Sequence, residues 1–363
     1  MRVLQVIFKK ETAHGGPYQV ANFLIKDALK IEKKIITKTL SLSVVSYFYF
    51  LYPQRLYNLL NKYNLIHFHE IWSFKVFLMS IYIRRLGIPY IVMPHGVLNN
   101  WSLKKKFLFK LIYSKLFLRN FFKKAYALHF LNNEEYIDAK KFIEFHRNYI
   151  LPNAIDCSKY SKKKSFKTKD KINVLFFGRL HKKKGINEIL ESISYLKNKK
   201  KCNFFNFNFV GPISKEDSIS LLKKIDDLNI NNLVNIFPEV KDIKSKTRFF
   251  LINDVFILPS FDEADSLSIK EAIASGMTIL ISKNCKVNIS DDFCFYTKID
   301  SINIAKNLIK IYTKRKKFNK YSFLARNFSK KEFDIDKFSK IITQIYYDCF
   351  FVNYNSKYIN IQT

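Results

Sequence analysis

The chain has 363 residues, 48% of them hydrophobic, and its 63 Lys and Arg against 30 Asp and Glu give a formal net charge of +33. That length accommodates two ordinary domains, each with a core of its own, and the hydrophobic share excludes a disordered chain in spite of the charge. The charge favours acidic partners, whether nucleic acid, anionic lipid or a phosphate-bearing substrate, and does not by itself choose among them, because Lys is used heavily throughout. Five scattered cysteines, with no paired short spacing, speak against a zinc or redox motif and fit a reducing, intracellular setting. The first apolar run is too short for a signal peptide, and no apolar stretch reaches the roughly 20 residues that a membrane-spanning helix needs.

Val3 to Phe8 reads as a buried strand, followed by a loop ending in His14-Gly15-Gly16-Pro17 and an amphipathic helix through about Lys30. Two glycines ahead of a Pro that suits the first helical turn allow close backbone approach to a phosphate or sugar, or form a plain tight turn. The alternation continues with strands at Ile35 to Leu40, Leu65 to His69 and Ile88 to Met93, and helices at Tyr47 to Lys62 and Ser73 to Leu86. This predicts a doubly wound parallel sheet whose ligands lie beyond the carboxyl ends of the strands. His67, His69, Glu70 and His95 fall at such ends. His95 precedes Gly96 in a loop that must turn sharply, which makes it the best candidate, though a His at a strand end is more often structural than catalytic. His67 and His69 alternate onto one face with no third ligand in view, so no metal is expected.

Leu103 to Lys124 carries Lys and Arg but no acidic residue, among apolar Phe107, Leu108, Leu111, Ile112, Leu118, Phe121 and Phe122. A basic amphipathic helix of this kind suits an anionic membrane surface; it equally suits a core helix with a solvated Lys face. A strand at Tyr126 to Leu131, a helix at Asn133 to Ile143 and a short strand at Tyr149 to Leu151 close the first domain. The polar stretch from Cys157 to Lys171 reads as a linker.

A second alternating series begins with a strand at Val174 to Phe177 and Gly178. Arg179 and Lys184 bracket the next loop just ahead of a helix N-terminus, a diphosphate site or simply a basic loop. Phe207 to Val210 with Gly211 gives another strand and turn, Lys215 to Leu228 a helix, Val234 to Phe237 a strand and Lys246 to Leu251 a helical turn. Phe256 to Ser282 then reads strand, acidic loop, helix and strand. Glu263 in its loop and Glu271 on its helix border one pocket for sugar or ribose hydroxyls, or are an N-terminal helix residue and a solvated face. Beyond Phe323 the chain turns helical to about Tyr347.

In this order the motifs resemble the retaining GT-B glycosyltransferases of family 4, the glycosyl transferases group 1 type. The resemblance rests on Gly178-Arg179-Leu180 with Lys184-Gly185, on Glu263 and Glu271 eight apart, on Pro152-Asn153-Ala154-Ile155-Asp156 between the domains, and on Gly15-Gly16 and His95-Gly96. The run from His95 to Trp101 followed by basic residues looks like a subset that builds bacterial surface polysaccharides. The resemblance implies two Rossmann-like domains on either side of a central cleft: residues 1–156 for the acceptor and 172–328 for the nucleotide sugar, with 157–171 as linker and 329–363 as a helix and tail returning toward the first domain.

It also implies roles. Arg179 and Lys184 would bind the donor diphosphate and stabilise its departure. Glu271 would hold the ribose and Glu263 the transferred sugar. Backbone amides from Asp265 through Ser266 to Leu267 would cradle phosphate, Gly178 and Gly211 would let the nucleotide approach, and Gly15, Gly16 and His95 would contribute from the first domain. The implied partners are a nucleotide-sugar donor, a glycan or lipid-linked acceptor and the anionic inner face of the cytoplasmic membrane through residues 103–124. Neither cofactor nor metal is implied, and no nucleic acid. One departure stands out: where the family has EGFG, this chain has Glu263-Ala264-Asp265-Ser266, which sets a carboxylate beside the expected diphosphate. A catalytically weak homologue, or a basic nucleic-acid-binding protein, are the other readings the sequence allows.

Overall fold

The computed structural model describes residues 1–7, 16–28, 35–43, 45, 47, 52–104, 106–161, 170–240 and 242–359. They form two compact units, Met1–Ala154 together with Ile335–Thr363, and Ile155–Asp334.

The first unit follows the expected alternation. Its strands are β1 (Arg2–Ile7), β2 (Ile36–Ser41), β3 (Leu65–Phe68), β4 (Tyr90–Val92), β5 (Ala127–Phe130) and β6 (Asn148–Ile150). All pair in parallel in the order β2-β1-β3-β4-β5-β6. The helices between them are α1 (Gly16–Phe23, prolonged by a π-helical turn at Leu24–Ala28), α2 (Pro53–Leu60), α3 (Phe74–Arg85), α4 (Asn100–Lys104), α5 (Phe107–Tyr113, prolonged by a π-helical turn at Ser114–Leu118), α6 (Arg119–Lys123) and α7 (Asn133–Phe142). β3, β4 and β5 are buried along their whole length, as their near-continuous apolar sequences require of strands covered on both faces.

The basic stretch expected as one helix over 103–124 is broken. Lys106 adopts a left-handed backbone at φ 53° between α4 and α5, and the π-helical turn shifts the phase before α6. The shift divides the apolar residues into two sets. Leu103, Tyr113, Leu118, Phe121 and Phe122 are buried, whereas Phe107, Leu108, Phe109, Ile112 and Leu116 are 51–68% exposed. No helix among the described residues is long and apolar enough to cross a membrane.

The second unit holds β7 (Ile172–Phe177), α8 (Ile186–Asn198), β8 (Phe205–Val210), α9 (Lys215–Asp227), β9 (Val234–Phe237), α10 (Ile243–Ile252), β10 (Val255–Leu258), α11 (Leu267–Ala274), β11 (Thr278–Ser282), β12 (Cys294–Thr297), α12 (Ser301–Thr313) and α13 (Phe318–Glu332). Its parallel order β12-β11-β10-β7-β8-β9 reverses direction between β7 and β10, the position at which an open α/β sheet leaves a crevice beyond its strand ends. The segment expected as a linker opens with a 3₁₀ turn at Cys157–Lys159, and Tyr160 is only 6% exposed within the core of this unit. Its aromatic ring needs burial, which overrides the polar composition around it. The last helix, α14 (Ile335–Ile359), belongs to the first unit, so the chain leaves the second unit after Asp334 rather than after Phe328.

Candidate active site

In the second unit the loops after β7 and β10 meet at the switch point of the sheet. Gly178 and Gly211 end β7 and β8, with φ of 153° and 150°. A Cβ on Gly211 would lie 2.0 Å from the Gly178 carbonyl oxygen, so a side chain is excluded at Gly211. Arg179 follows and is exposed, and no ion pair or hydrogen bond engages it among the described residues. The chain then makes a 3₁₀ turn at Lys182–Lys184 capped by His181, whose Nδ1 accepts from the Lys183 amide at 3.1 Å. Gly185 closes the turn at φ 74°, and a Cβ there would meet the Pro259 oxygen at 2.2 Å. The RLHKKKG loop is therefore seated directly against the start of the acidic loop.

That acidic loop is clamped from both sides. The Phe261 amide donates to the Lys183 carbonyl at 2.9 Å, and the Glu263 amide to the Asn284 carbonyl at 3.0 Å. Asp262 is paired with Lys183 at 2.9 Å and Lys286 at 3.3 Å. Lys184 Nζ lies 2.5 Å from Glu263 Oε1, to which the Ser260 hydroxyl also donates at 2.7 Å. Two expected site residues 79 positions apart thus form one half-buried pair. A charge-assisted contact of this kind fixes both side chains without removing them from solvent.

Asp265, the unexpected acid, is turned inward. Its Oδ2 lies 2.6 Å from Lys270 Nζ, one turn into α11, with the two side chains 5% and 1% exposed. Lys270 also sits over the Phe333 ring, 5.1 Å from the centroid. Burial pushes the Lys270 ammonium below its ordinary value, and the Asp265 carboxylate opposes that shift. Because the pair neutralises itself, Asp265 does not present an open negative charge at the helix start. Ser266 caps α11 with no side-chain hydrogen bond to its first amides, its hydroxyl lying instead 3.0 Å from that of Ser268, and Leu267 is the first helical residue. Those N–H groups carry the positive end of the helix dipole.

Glu271 does not lie on a solvated face. It is 5% exposed, accepts from the Tyr160 hydroxyl at 2.8 Å and is ion-paired with Lys246 of α10. Burial first, and the neighbouring Glu271 charge second, raise the Tyr160 phenol above its ordinary value. Arg326 ties this corner together by donating to the carbonyls of Ala274 at 2.8 Å and Tyr160 at 3.2 Å. Sequence reasoning misses Lys246, Tyr160, Ser260 and Lys270. Each lies on an element distant from its partner or at a spacing without a motif, so nothing short of the fold identifies them.

The first unit holds its own polar centre. Gly15 lies outside the described residues, and Gly16 opens α1. His95 adopts a left-handed backbone at φ 56° directly before Gly96 at φ 77°. The carboxylate of Glu135, fully buried on α7, accepts from the Gly96 amide through one oxygen and from the Leu131 amide at 2.9 Å through the other. It thereby holds the turn that carries His95. Glu70 fastens its own loop, accepting from the Ile71 and Trp72 amides at 2.9 and 2.8 Å. Around His95 stand His69, His67 and His129, with ring centroids 4.5 to 5.7 Å apart in successive pairs. Burial holds all four imidazoles below their ordinary value, His129 at about 4. Both ring nitrogens of His69 are occupied by hydrogen bonds, to His95 and to Gln5.

Comparison with known proteins bears on the second unit above all: residues 158–328 match the family described as Glycosyl transferases group 1. No curated protein sequence matches the chain. Among solved structures it is similar to HepE of Anabaena in complex with UDP and glucose, with a TM-score of 0.72 and 14% identity over 95% of this chain and 99% of that one. It is likewise similar to sucrose-phosphate synthase of Thermosynechococcus elongatus, with a TM-score of 0.76 and 14% identity over 97% and 100% of the two chains. A third similar structure is WaaG, a glycosyltransferase involved in lipopolysaccharide biosynthesis, with a TM-score of 0.67 and 14% identity over 95% and 99%. At such identities these likenesses speak for the fold, and the family match speaks for the chemistry of the unit that carries Arg179, Lys184, Glu263 and Glu271. Residues 158–328 thus form a glycosyl transferases group 1 domain, and the chain is a glycosyltransferase of GT-B fold.

Proposed function

We propose that this glycosyltransferase moves a sugar from a nucleoside diphosphate donor to a hydroxyl of a lipid-linked glycan, with retention at the anomeric carbon and no metal, in the synthesis of a bacterial surface polysaccharide or lipopolysaccharide. One observation carries the donor assignment: Arg179 is an exposed cation without a partner among the described residues, and it stands on the same loop as the fixed Lys184–Glu263 pair. Together with the uncapped amides of α11, these cations supply the charge stabilisation that a departing diphosphate needs. In this reading the bond from the anomeric carbon to the phosphate oxygen breaks as the acceptor oxygen bonds to the same face of that carbon, and the acceptor's proton passes to the departing phosphate. Glu263 receives hydroxyls of the transferred sugar and Glu271 those of the ribose, and His95, on the first unit, receives a substrate hydroxyl. The HepE structures hold UDP and UDP-glucose, which makes UDP sugars the first donors to test.

The membrane assignment rests on the five exposed apolar side chains of α5 and the turn after it, flanked by exposed Lys104, Lys106, Lys115, Arg119, Lys123 and Lys124. It places the enzyme on the inner face of the cytoplasmic membrane, where WaaG's lipopolysaccharide role offers a parallel. The self-neutralised Asp265–Lys270 pair favours an active enzyme over a weak homologue.

The test is a panel of nucleoside diphosphate sugars screened by thermal shift, followed by donor hydrolysis in the presence of a chelator. Arg179→Ala and Lys184→Ala are each expected to weaken the binding of any donor found by roughly 10–100-fold, the worth of one charge-assisted hydrogen bond. Unchanged donor affinity in both variants would overturn the assignment.

A further inference from the structure

We infer that Tyr346, Gln5 and His69 form a hydrogen-bonded relay that fixes the tautomer of His95, with its proton on Nε2 and a bare Nδ1. The relay begins on the last helix. Tyr346 on α14 is fully buried, and its hydroxyl lies 2.8 Å from His67 Nδ1 and 3.1 Å from Gln5 Nε2. Gln5, fully buried at the centre of β1, directs the same amide nitrogen at the Thr37 hydroxyl, 3.5 Å away on the neighbouring strand. The carboxamide directs its nitrogen at these two hydroxyls and its oxygen at His69, with Oε1 2.7 Å from His69 Nε2.

The rest follows from what each atom can do. An amide oxygen only accepts, so His69 carries its proton on Nε2. A neutral His69 then has a bare Nδ1, which lies 2.8 Å from His95 Nε2. His95 must therefore donate from Nε2, and its Nδ1 is left as an acceptor. Neutrality is supplied by the surroundings: His67, His69 and His129 are 0–3% exposed, and burial depresses their basicity together with that of His95. His95 itself is only partly buried, and its Nδ1 has no partner among the described residues. An open acceptor of this kind takes a hydrogen bond from a hydroxyl and repels a phosphate oxygen. Its fit to a sugar hydroxyl rests on the transferase reading proposed above. Tyr346, Gln5 and His69 are thus positioning residues that act on the substrate through His95.

Nitrogen-15 labelling of the histidines in the full chain, read by long-range proton–nitrogen correlation near neutral pH, tests the relay directly. The expected result is Nε2–H for both His69 and His95. Tyr346→Phe, which removes one hydroxyl and leaves the ring, is expected to release the carboxamide, convert His95 to a mixture of tautomers, and reduce turnover of the donor about tenfold with little change in donor KM. A proton on Nδ1 of His95 in the unaltered chain, or a His95 tautomer indifferent to Tyr346→Phe, would overturn the relay. If the tautomer shifts as expected and turnover of a productive donor does not, the relay stands and the assignment of His95 to the substrate fails.

Discussion

Acid should unfold the first unit selectively, because its core contains imidazoles that the fold keeps neutral. In an unfolded chain a histidine titrates near 6.5, so that at about pH 5 it is almost wholly protonated, which lowers the free energy of the unfolded state by about 2 kcal/mol. His129, held at about 4 by burial, captures almost none of that gain when folded. The sign is fixed by proton counting. The unfolded state binds more protons than the folded one, so stability is full above pH ~6.5 and falls as the pH drops below it. His67, His69 and His95 are depressed by burial in the same direction and multiply the loss, while Glu70, whose carboxyl burial raises, opposes it in part. Since a domain's whole stability is about 5–15 kcal/mol, the shortfall is large. Trp72 and Trp101 are the only tryptophans and both lie in the first unit, so fluorescence during urea unfolding reports on that unit alone. Stability by this signal should fall by more than about 2 kcal/mol between pH ~7.5 and ~5, and His129→Gln, which keeps a donor for the Leu151 carbonyl, should recover about 2 kcal/mol of the loss. Equal stability at the two pH values would refute the reasoning.

Two further predictions concern charge. Lys270→Met leaves Asp265 buried without its partner and is expected to destabilise the second unit by about 3–5 kcal/mol, whereas Lys270→Met combined with Asp265→Leu should recover most of that stability in urea titrations; additive losses would refute the pairing. Leu108→Ser with Leu116→Ser should reduce binding to vesicles rich in phosphatidylglycerol at least tenfold while leaving donor hydrolysis in solution unchanged, and undiminished vesicle binding would remove the membrane assignment.

The strands are legible in the sequence because each is a short run of apolar, often β-branched or aromatic residues, and a parallel sheet buried on both faces demands little else: Val255–Leu258 and Leu65–Phe68 are buried throughout. Boundaries are less legible. The break at Lys106 and the π-helical turn at Ser114–Leu118 leave no mark in a window that reads apolar and basic residues at helical spacing. For the site, residue types at the ends of strands point to Arg179, Lys184, Glu263, Glu271 and His95, but their partners stay hidden. Lys246 reaches Glu271 from another helix, Tyr160 comes from a stretch that reads as polar linker, and Asp265 reads as an open charge until the fold sets Lys270 against it. Pairing of this sort depends on which loops the sheet order brings together, and that order is a property of the whole chain.

The placement of α14 bears on how the protein is made. A ribosome releases the chain from its amino end, so β1 to β6 emerge first, yet Tyr346, which packs in that sheet's unit against Gln5 and His67, is synthesised only after the whole of the second unit. The intervening residues 155–334 carry a continuous core of their own and can close while α14 is still in the exit tunnel. The first unit therefore waits, with a tyrosine-shaped gap beside three histidines, until α14 has left the ribosome. A messenger truncated shortly before the codon for Tyr346 would yield a second unit that folds and a first unit that does not.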